Sequence, residues 1–150
     1  MGLLEQIKKP NAKAFTHSGK FHADDVFSSA LLLYLNPQIT ITRGNRVPED
    51  YDGIVFDIGR GRYDHHQRDS RVRENGVPYA AFGLLWEELG GEILGGTLAQ
   101  RFDEEFVSMN GGAHLILIIK RRDAFIDKRK LLHRTVANRI RQLFVYNGDI

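Results

Sequence analysis

Histidine and aspartate recur in this chain at spacings that could hold a cation. THSGKFHADDV places His17, His22, Asp24 and Asp25 within nine residues. VFDIG carries Asp57, and YDHHQR sets Asp64, His65 and His66 side by side. Imidazole nitrogens and carboxylate oxygens without sulfur suit Mn²⁺, Mg²⁺, Fe²⁺ or Zn²⁺. A cleft that gathered two imidazoles and two carboxylates would accommodate two ions with one carboxylate between them. Such a pair would hold water as hydroxide and clamp the oxygens of an in-line phosphoryl displacement. In an extended segment neighbouring side chains point to opposite sides, so His65 can ligate a metal while His66 faces substrate.

Each of these residues also has a plainer reading. Two adjacent histidines in an exposed loop are, taken alone, better explained as surface. An acid that ends a buried strand can simply accept turn N–H groups, as Asp57 would. Asp24 or Asp25 can be the N-terminal cap of the helix that follows. Lys20, Arg60, Arg62, Arg68, Arg71 and Arg73 surround the acids. The guanidinium fork matches phosphate, so RDSRVR could grip substrate, although a solvated loop accounts for any one of these cations equally well. HSGKF lacks the upstream glycine of a phosphate loop, and GRG lacks the third glycine of a dinucleotide fingerprint.

The elements that must position these residues follow from hydropathy periods. KAFT at 13–16 reads as a strand. DDVFSSALLLYLN has Val26, Phe27, Ala30, Leu31, Tyr34 and Leu35 at helical spacing, stopped by Asn36-Pro37. ITITR at 39–43 alternates and is β-branched. GIVFDIG at 53–59 is the continuous apolar run of a buried parallel strand. A polar loop over about 60–78 is long enough to imply a role beyond connection. YAAFGLLWEEL at 79–89 is an amphipathic helix expected to stop at Gly90-Gly91, and TLAQRFDEEFV at 97–107 is another. AHLILIIK at 113–120 could be strand or helix, and DAFIDKRKLLHRTVANRIRQLF has a helical period with a basic face. The order predicts an α/β fold with a largely parallel sheet flanked by helices. In such sheets ligands gather at the carboxyl ends of the strands, the address shared by His17, His22, Asp57 and the Asp-His-His run.

Bulk properties narrow the class. A chain of 150 residues is large enough for one domain with a real core. A net charge of +2 does not by itself demand nucleic acid, although ten of the 21 Lys and Arg residues lie between Arg101 and Ile150. That skew fits an anionic partner or a solvated helix face. With no cysteine, disulfides and thiolate metal sites are excluded. No apolar stretch reaches the length of a signal peptide or membrane span, so a soluble, cytoplasmic protein with no membrane partner is expected.

THSGKFHADDV, VFDIG, YDHHQR and NGVPYAAFGLLWEELG, in this order and spacing, resemble the melanocyte proliferating gene family, a branch similar to the DHH phosphoesterases. The resemblance covers roughly residues 13–107. It implies a metal-dependent phosphodiester hydrolase, with 3′–5′ exonuclease activity on RNA or a short oligonucleotide, using two divalent ions, Mn²⁺ or alternatively Mg²⁺. It implies that His17, His22 and Asp24 are metal ligands, that Asp57 bridges both ions, and that His65 ligates the second. His66 would contact the scissile phosphate, Asp64 would orient a neighbouring imidazole, and Lys20, Gln67, Arg68 and Arg71 would bind substrate. Residues 1–107 then form a DHH-like metal-binding α/β domain. Residues 108–150 are a divergent or truncated basic segment expected to pack on the same domain. Where the family continues with an aspartate-rich stretch supplying a further metal carboxylate, this chain reads SMNGGAHLIL, and neither Asp123 nor Asp127 can be matched to that ligand. Two other functions stay open: a small-molecule phosphoesterase or pyrophosphatase, and a catalytically impaired module that binds metal or RNA.

Overall fold

A computed structural model describes residues 1–108. The readings of 113–120, of the basic helical run after Asp123, of Asp123 and Asp127 themselves and of the packing of the terminal segment lie outside the described residues. Within them the chain runs α1 (Leu3–Ile7), β1 (Lys13–His17), α2 (Ala23–Leu35), β2 (Thr40–Gly44), β3 (Ile54–Val55), α3 (Ala81–Leu94) and α4 (Gly96–Phe102). A single π-helical turn, Asp103–Val107, extends α4. Among these, no helix is long and apolar enough to cross a membrane.

The three strands form one parallel sheet in the order β2-β1-β3. Burial explains why β1 takes the centre. Ala14, Phe15 and Thr16 are all buried, as a strand covered on both faces requires, whereas β2 is half-exposed along an edge. From β1 the chain crosses through α2 to β2 on one side, then passes to β3 on the other. The order of the strands therefore switches at β1. Such a switch opens a crevice beyond the carboxyl ends of the strands, and His17 is the last residue of β1.

The apolar run at 53–59 is not a full strand. Pairing stops after the Phe56 N–H donates to the Phe15 carbonyl, because Asp57 turns the backbone to a φ of +56°. That left-handed conformation costs most residues about 1–2 kcal/mol, but Asp is among those that tolerate it. It points the chain away from the sheet and ends the ladder. The Asp57 N–H then donates to the Tyr63 carbonyl, so the loop folds back on the strand end.

Helix boundaries also differ from the periodicity. The residue capping α2 is His22, and Asp25 occupies the third helical position, where its Oδ1 accepts the His22 N–H at 3.0 Å. Helix α3 does not stop at Gly90-Gly91 but continues to Leu94 and ends at Gly95, whose φ is +78°. The reason is packing. The Trp86 indole lies against the helix at Gly90, donates Nε1–H to the Ala99 carbonyl, and packs tilted against the Phe102 ring, 4.6 Å between centroids. A methyl group on Gly90 would sit 2.7 Å from Trp86 Cε2. Glycine is thus kept inside the helix for the space it leaves. The short helix α1, absent from the sequence reading, contributes Leu3 and Ile7 to the same core as Leu32, Phe56, Leu85 and Leu89.

Helix propensity alone favours alanine over glycine by about 1 kcal/mol. The indole makes the opposite prediction for Gly90→Ala: overpacking costing about 1–3 kcal/mol and a lower urea midpoint. Trp86 is the sole tryptophan, so its fluorescence reports the transition directly. A raised midpoint would show that the indole yields freely.

Candidate metal centre

The crevice beyond β1 and β3 holds the histidines and acids singled out above. Asp57 is its centre. Its side chain is 1% exposed, and neither carboxylate oxygen accepts a hydrogen bond. Oδ2 lies 3.2 Å from His17 Nε2, and Oδ1 lies 3.3 Å from His65 Nδ1. Donor atoms of Asp57, His17 and His22 lie within 4.8 Å of one another, as do those of Asp57, Asp64, His65 and His66. Two donor groups therefore share a single residue, and each takes a different face of its carboxylate.

His17 shows what that arrangement lacks. Its Nδ1 lies 2.8 Å from the Ser18 carbonyl oxygen. A carbonyl only accepts, so Nδ1 supplies the proton there and Nε2 is the ring nitrogen turned to the crevice. That nitrogen faces two carboxylate oxygens, Asp57 Oδ2 and, at 3.3 Å, Asp25 Oδ2. His17 Nε2, His65 Nδ1 and both Asp57 oxygens are buried without a hydrogen-bond partner. Leaving one such group unsatisfied costs on the order of 1–3 kcal/mol, and four of them converge here. Cations held by the two donor groups would satisfy all four. The site residues thus fit a divalent metal by their own unmet chemistry.

Arg43 was not among the residues the sequence singled out, and Asp25 was named there as a candidate donor or helix cap with no ligand role assigned. Arg43 donates Nη2–H to Asp25 Oδ2 and Nε–H to the His17 carbonyl, both at 3.0 Å. It thereby ties the end of β1 to the start of α2. The signal was present but indirect: Arg43 pairs with Thr16 in the parallel register, one step from His17. Asp24 sits beside the two groups rather than within them. The Phe82 N–H, in the first turn of α3, bonds its carboxylate, and burial raises its pKa against the opposing pull of His65.

The adjacent histidines do not point to opposite sides. Their rings stack at 4.3 Å, and both Nδ1 atoms face Asp57 Oδ1, at 3.3 and 3.8 Å. The segment is not extended, because Asp64 folds it. Asp64 Oδ1 accepts the His66 N–H at 3.2 Å and the His66 Nδ1–H at 2.6 Å, while Oδ2 accepts the Arg60 N–H at 2.6 Å. The two imidazoles are nevertheless biased in opposite directions. Burial pushes the His65 pKa down, whereas the bond to Asp64 raises that of His66. For Asp64 itself burial opposes ionisation, but the His66 imidazole and the backbone N–H groups outweigh it and keep the pKa low. Burial, with Asp24 beside it, pushes Asp57 up to about 7.

The surrounding cations divide. Arg71 forks onto Glu87 at 2.6 and 2.8 Å, Arg73 onto Asp103 at 2.7 and 2.8 Å, and Arg62 reaches Glu88 at 2.9 Å. These pairs bind the 60–78 loop to α3 and the turn beyond α4. Lys20, Arg60 and Arg68 are exposed and make no ion pair among the described residues. Gln67 follows the Asp-His-His run with its Oε1 buried and unpartnered.

Relatives carry the same stretch of chain. A model named MYG1_exonuc, described as an uncharacterised protein family (UPF0160), matches residues 13–125, spanning every residue of the crevice. A MYG1 protein of Caenorhabditis elegans is 34% identical over 115 residues, covering 61% of this chain and 33% of its own length. A MYG1 protein of Schizosaccharomyces pombe is 33% identical over 101 residues, 59% of this chain and 31% of that protein. The MYG1 exonuclease of Homo sapiens is 33% identical over 122 residues, 61% of this chain and 32% of that protein. The chain thus spans about a third of the length of these curated relatives. No solved structure matches it significantly. Since the family's pattern runs through β1, α2, β3, the Asp-His-His loop and α3 without a break, the chain belongs to the MYG1_exonuc family.

Proposed function

We propose that this chain carries the metal-binding part of a phosphodiester hydrolase, a 3′–5′ exonuclease acting on RNA, built like the DHH phosphoesterases. One observation carries the reading. The buried Asp57 presents one unpartnered oxygen to His17 and the other to His65, the arrangement of a carboxylate that joins two cation sites. The name of the human relative, an exonuclease, supports the class of reaction. His17, His22, Asp24 and Asp57 would hold one ion, and Asp57 and His65 the other, with Mn²⁺ favoured over Mg²⁺ by the imidazole donors. Bound ions would supply charge to the phosphate and a nucleophile at neutral pH.

The chain's own residues perform the rest. His65, kept neutral by burial, offers a lone pair. His66, kept protonated by Asp64, is exposed and can donate Nε2–H to a phosphate oxygen as negative charge develops there. Asp64 holds the His66 ring and fixes which nitrogen carries the proton. Lys20, Gln67 and Arg68 lie on the segments flanking this point and would orient the substrate. Arg71, already engaged with Glu87, would serve the substrate through the loop it anchors.

The decisive measurements are metal content and Mn²⁺-dependent shortening of a 5′-labelled RNA oligomer, beside inorganic pyrophosphate and a dinucleotide. Asp57→Asn should lose both metal and activity. His65→Ala should lose metal, whereas His66→Ala should keep it and lower kcat by roughly 10²–10³-fold. If His66→Ala strips the metal and His65→Ala does not, the two roles are reversed. A wild-type protein that binds no metal and leaves all three substrates intact would sink the proposal.

Proton competition gives a second prediction. A carboxyl such as Asp57 ordinarily titrates near 3.8, but burial and the neighbouring Asp24 push this one up to about 7. A cation needs the carboxylate, so it must displace that proton below pH 7 and need not do so above. Mn²⁺ affinity should therefore fall by about tenfold per pH unit as pH drops below 7, levelling off above it. Calorimetry in buffers of different ionisation enthalpy should show proton release at pH 6 and little at pH 8. Affinity independent of pH across this range would contradict the assignment.

A further inference from the structure

Phe21 stands in the β1–α2 loop, immediately before His22, and is 53% exposed. Its ring does not contribute to the core. Instead the guanidinium of Arg43 lies 3.8 Å from its centroid. Arg43 is itself fixed by the His17 carbonyl and by Asp25, a carboxylate 1% exposed. The result is a layered support: a held guanidinium on one face of the ring, and solvent open to the remainder. The plain account is that Phe21 shields the Arg43–Asp25 pair from water. That account needs only an apolar group of similar size and gives no use to the open aromatic surface.

We propose that Phe21, backed by Arg43, is a stacking platform for a nucleobase of the single-stranded RNA whose phosphate lies at the metal centre. The inference rests on the nuclease reading and adds a base-recognition subsite to it. Its chemistry is that of sequence-tolerant binding: every base has a π face, so a fixed exposed ring next to a phosphate site holds any nucleotide in line. Arginine behind the ring adds a cation–π contact and limits the ring's freedom. Because Arg43 also bonds the His17 carbonyl, the platform and the ligand are positioned by one side chain.

The test uses the full chain and measures affinity, so it does not depend on turnover. A short fluorescent RNA oligomer and a ribose-phosphate oligomer of equal length without bases are titrated by anisotropy, with Ca²⁺ replacing Mn²⁺ so that both stay intact. Wild type should prefer the base-bearing oligomer. Phe21→Ala should cut that preference by roughly 10- to 100-fold, and Phe21→Trp should keep it. Phe21→Leu, which still covers Arg43 but has no π face, should behave like Phe21→Ala. The proposal is overturned if wild type binds the two oligomers alike, if Phe21→Ala weakens both equally, or if Phe21→Leu restores the preference. Mn²⁺ uptake and RNA cleavage by wild type judge the nuclease reading separately. Cleavage without base preference removes the platform alone, base preference with metal uptake but no cleavage removes the nuclease alone, and absence of metal uptake overturns both.

Discussion

A carboxylate buried without a proton donor is the constraint around which this fold is arranged. Taking a carboxylate out of water costs several kcal/mol unless charge or hydrogen bonds replace the lost hydration. Asp57 has no hydrogen bond on its oxygens, and the imidazoles of His17 and His66 offset its burial only in part; its backbone adds a left-handed turn at the end of β3. Such a residue persists only where the surroundings leave it no alternative. Phe56, fully buried beside it, anchors the strand end, and the Tyr63 carbonyl takes its N–H. The group answers by holding a proton to about pH 7.

Around this point each imidazole is held by its own partner, and each partner is held in turn. His17 is tied to the Ser18 carbonyl and faces Asp25, which Arg43 secures from β2. His66 is tied to Asp64, which the Arg60 N–H secures from the loop. The loop over 60–78 would be expected to wander, yet Arg73 is only 7% exposed where it forks onto Asp103, and its ring neighbour is Tyr79 at 4.0 Å. A half-buried fork of this kind restrains a loop far better than exposed pairs do. Ordering of the loop therefore originates in α3 and the turn beyond α4, outside the motif it serves.

Much of this was legible in the sequence because periodicity and strand-end placement are local signals. The helix read from DDVFSSALLLYLN and the strand read at 13–16 are found at Ala23–Leu35 and Lys13–His17, and the crevice follows from where His17 and Asp57 fall on their strands. What was not legible depends on contacts distant in the chain. Gly90 reads as a stop until Trp86 is seen to need its space. Arg43 reads as the polar end of an edge strand until parallel pairing brings it beside His17. The alternation expected of His65 and His66 failed because Asp64, one residue earlier, accepts two bonds from His66 and bends the segment. Helix α1 escaped notice because five residues with two apolar positions carry almost no period.

The bend explains why two histidines can be adjacent and still differ. Alternation would separate them in space. Here they stack face to face, and their difference is one of environment: His65 is half-buried and loses its proton to desolvation, while His66 is exposed and keeps its proton through Asp64. The repulsion between stacked imidazolium rings is part of the bias, because the neighbouring His66 charge adds to burial in lowering the His65 pKa. An acid placed immediately before the pair thus decides which of the two is the cation. Moving Asp64 to the other side of the pair would leave the same composition and lose that choice, so the order of the three residues, and not their presence alone, carries the chemistry.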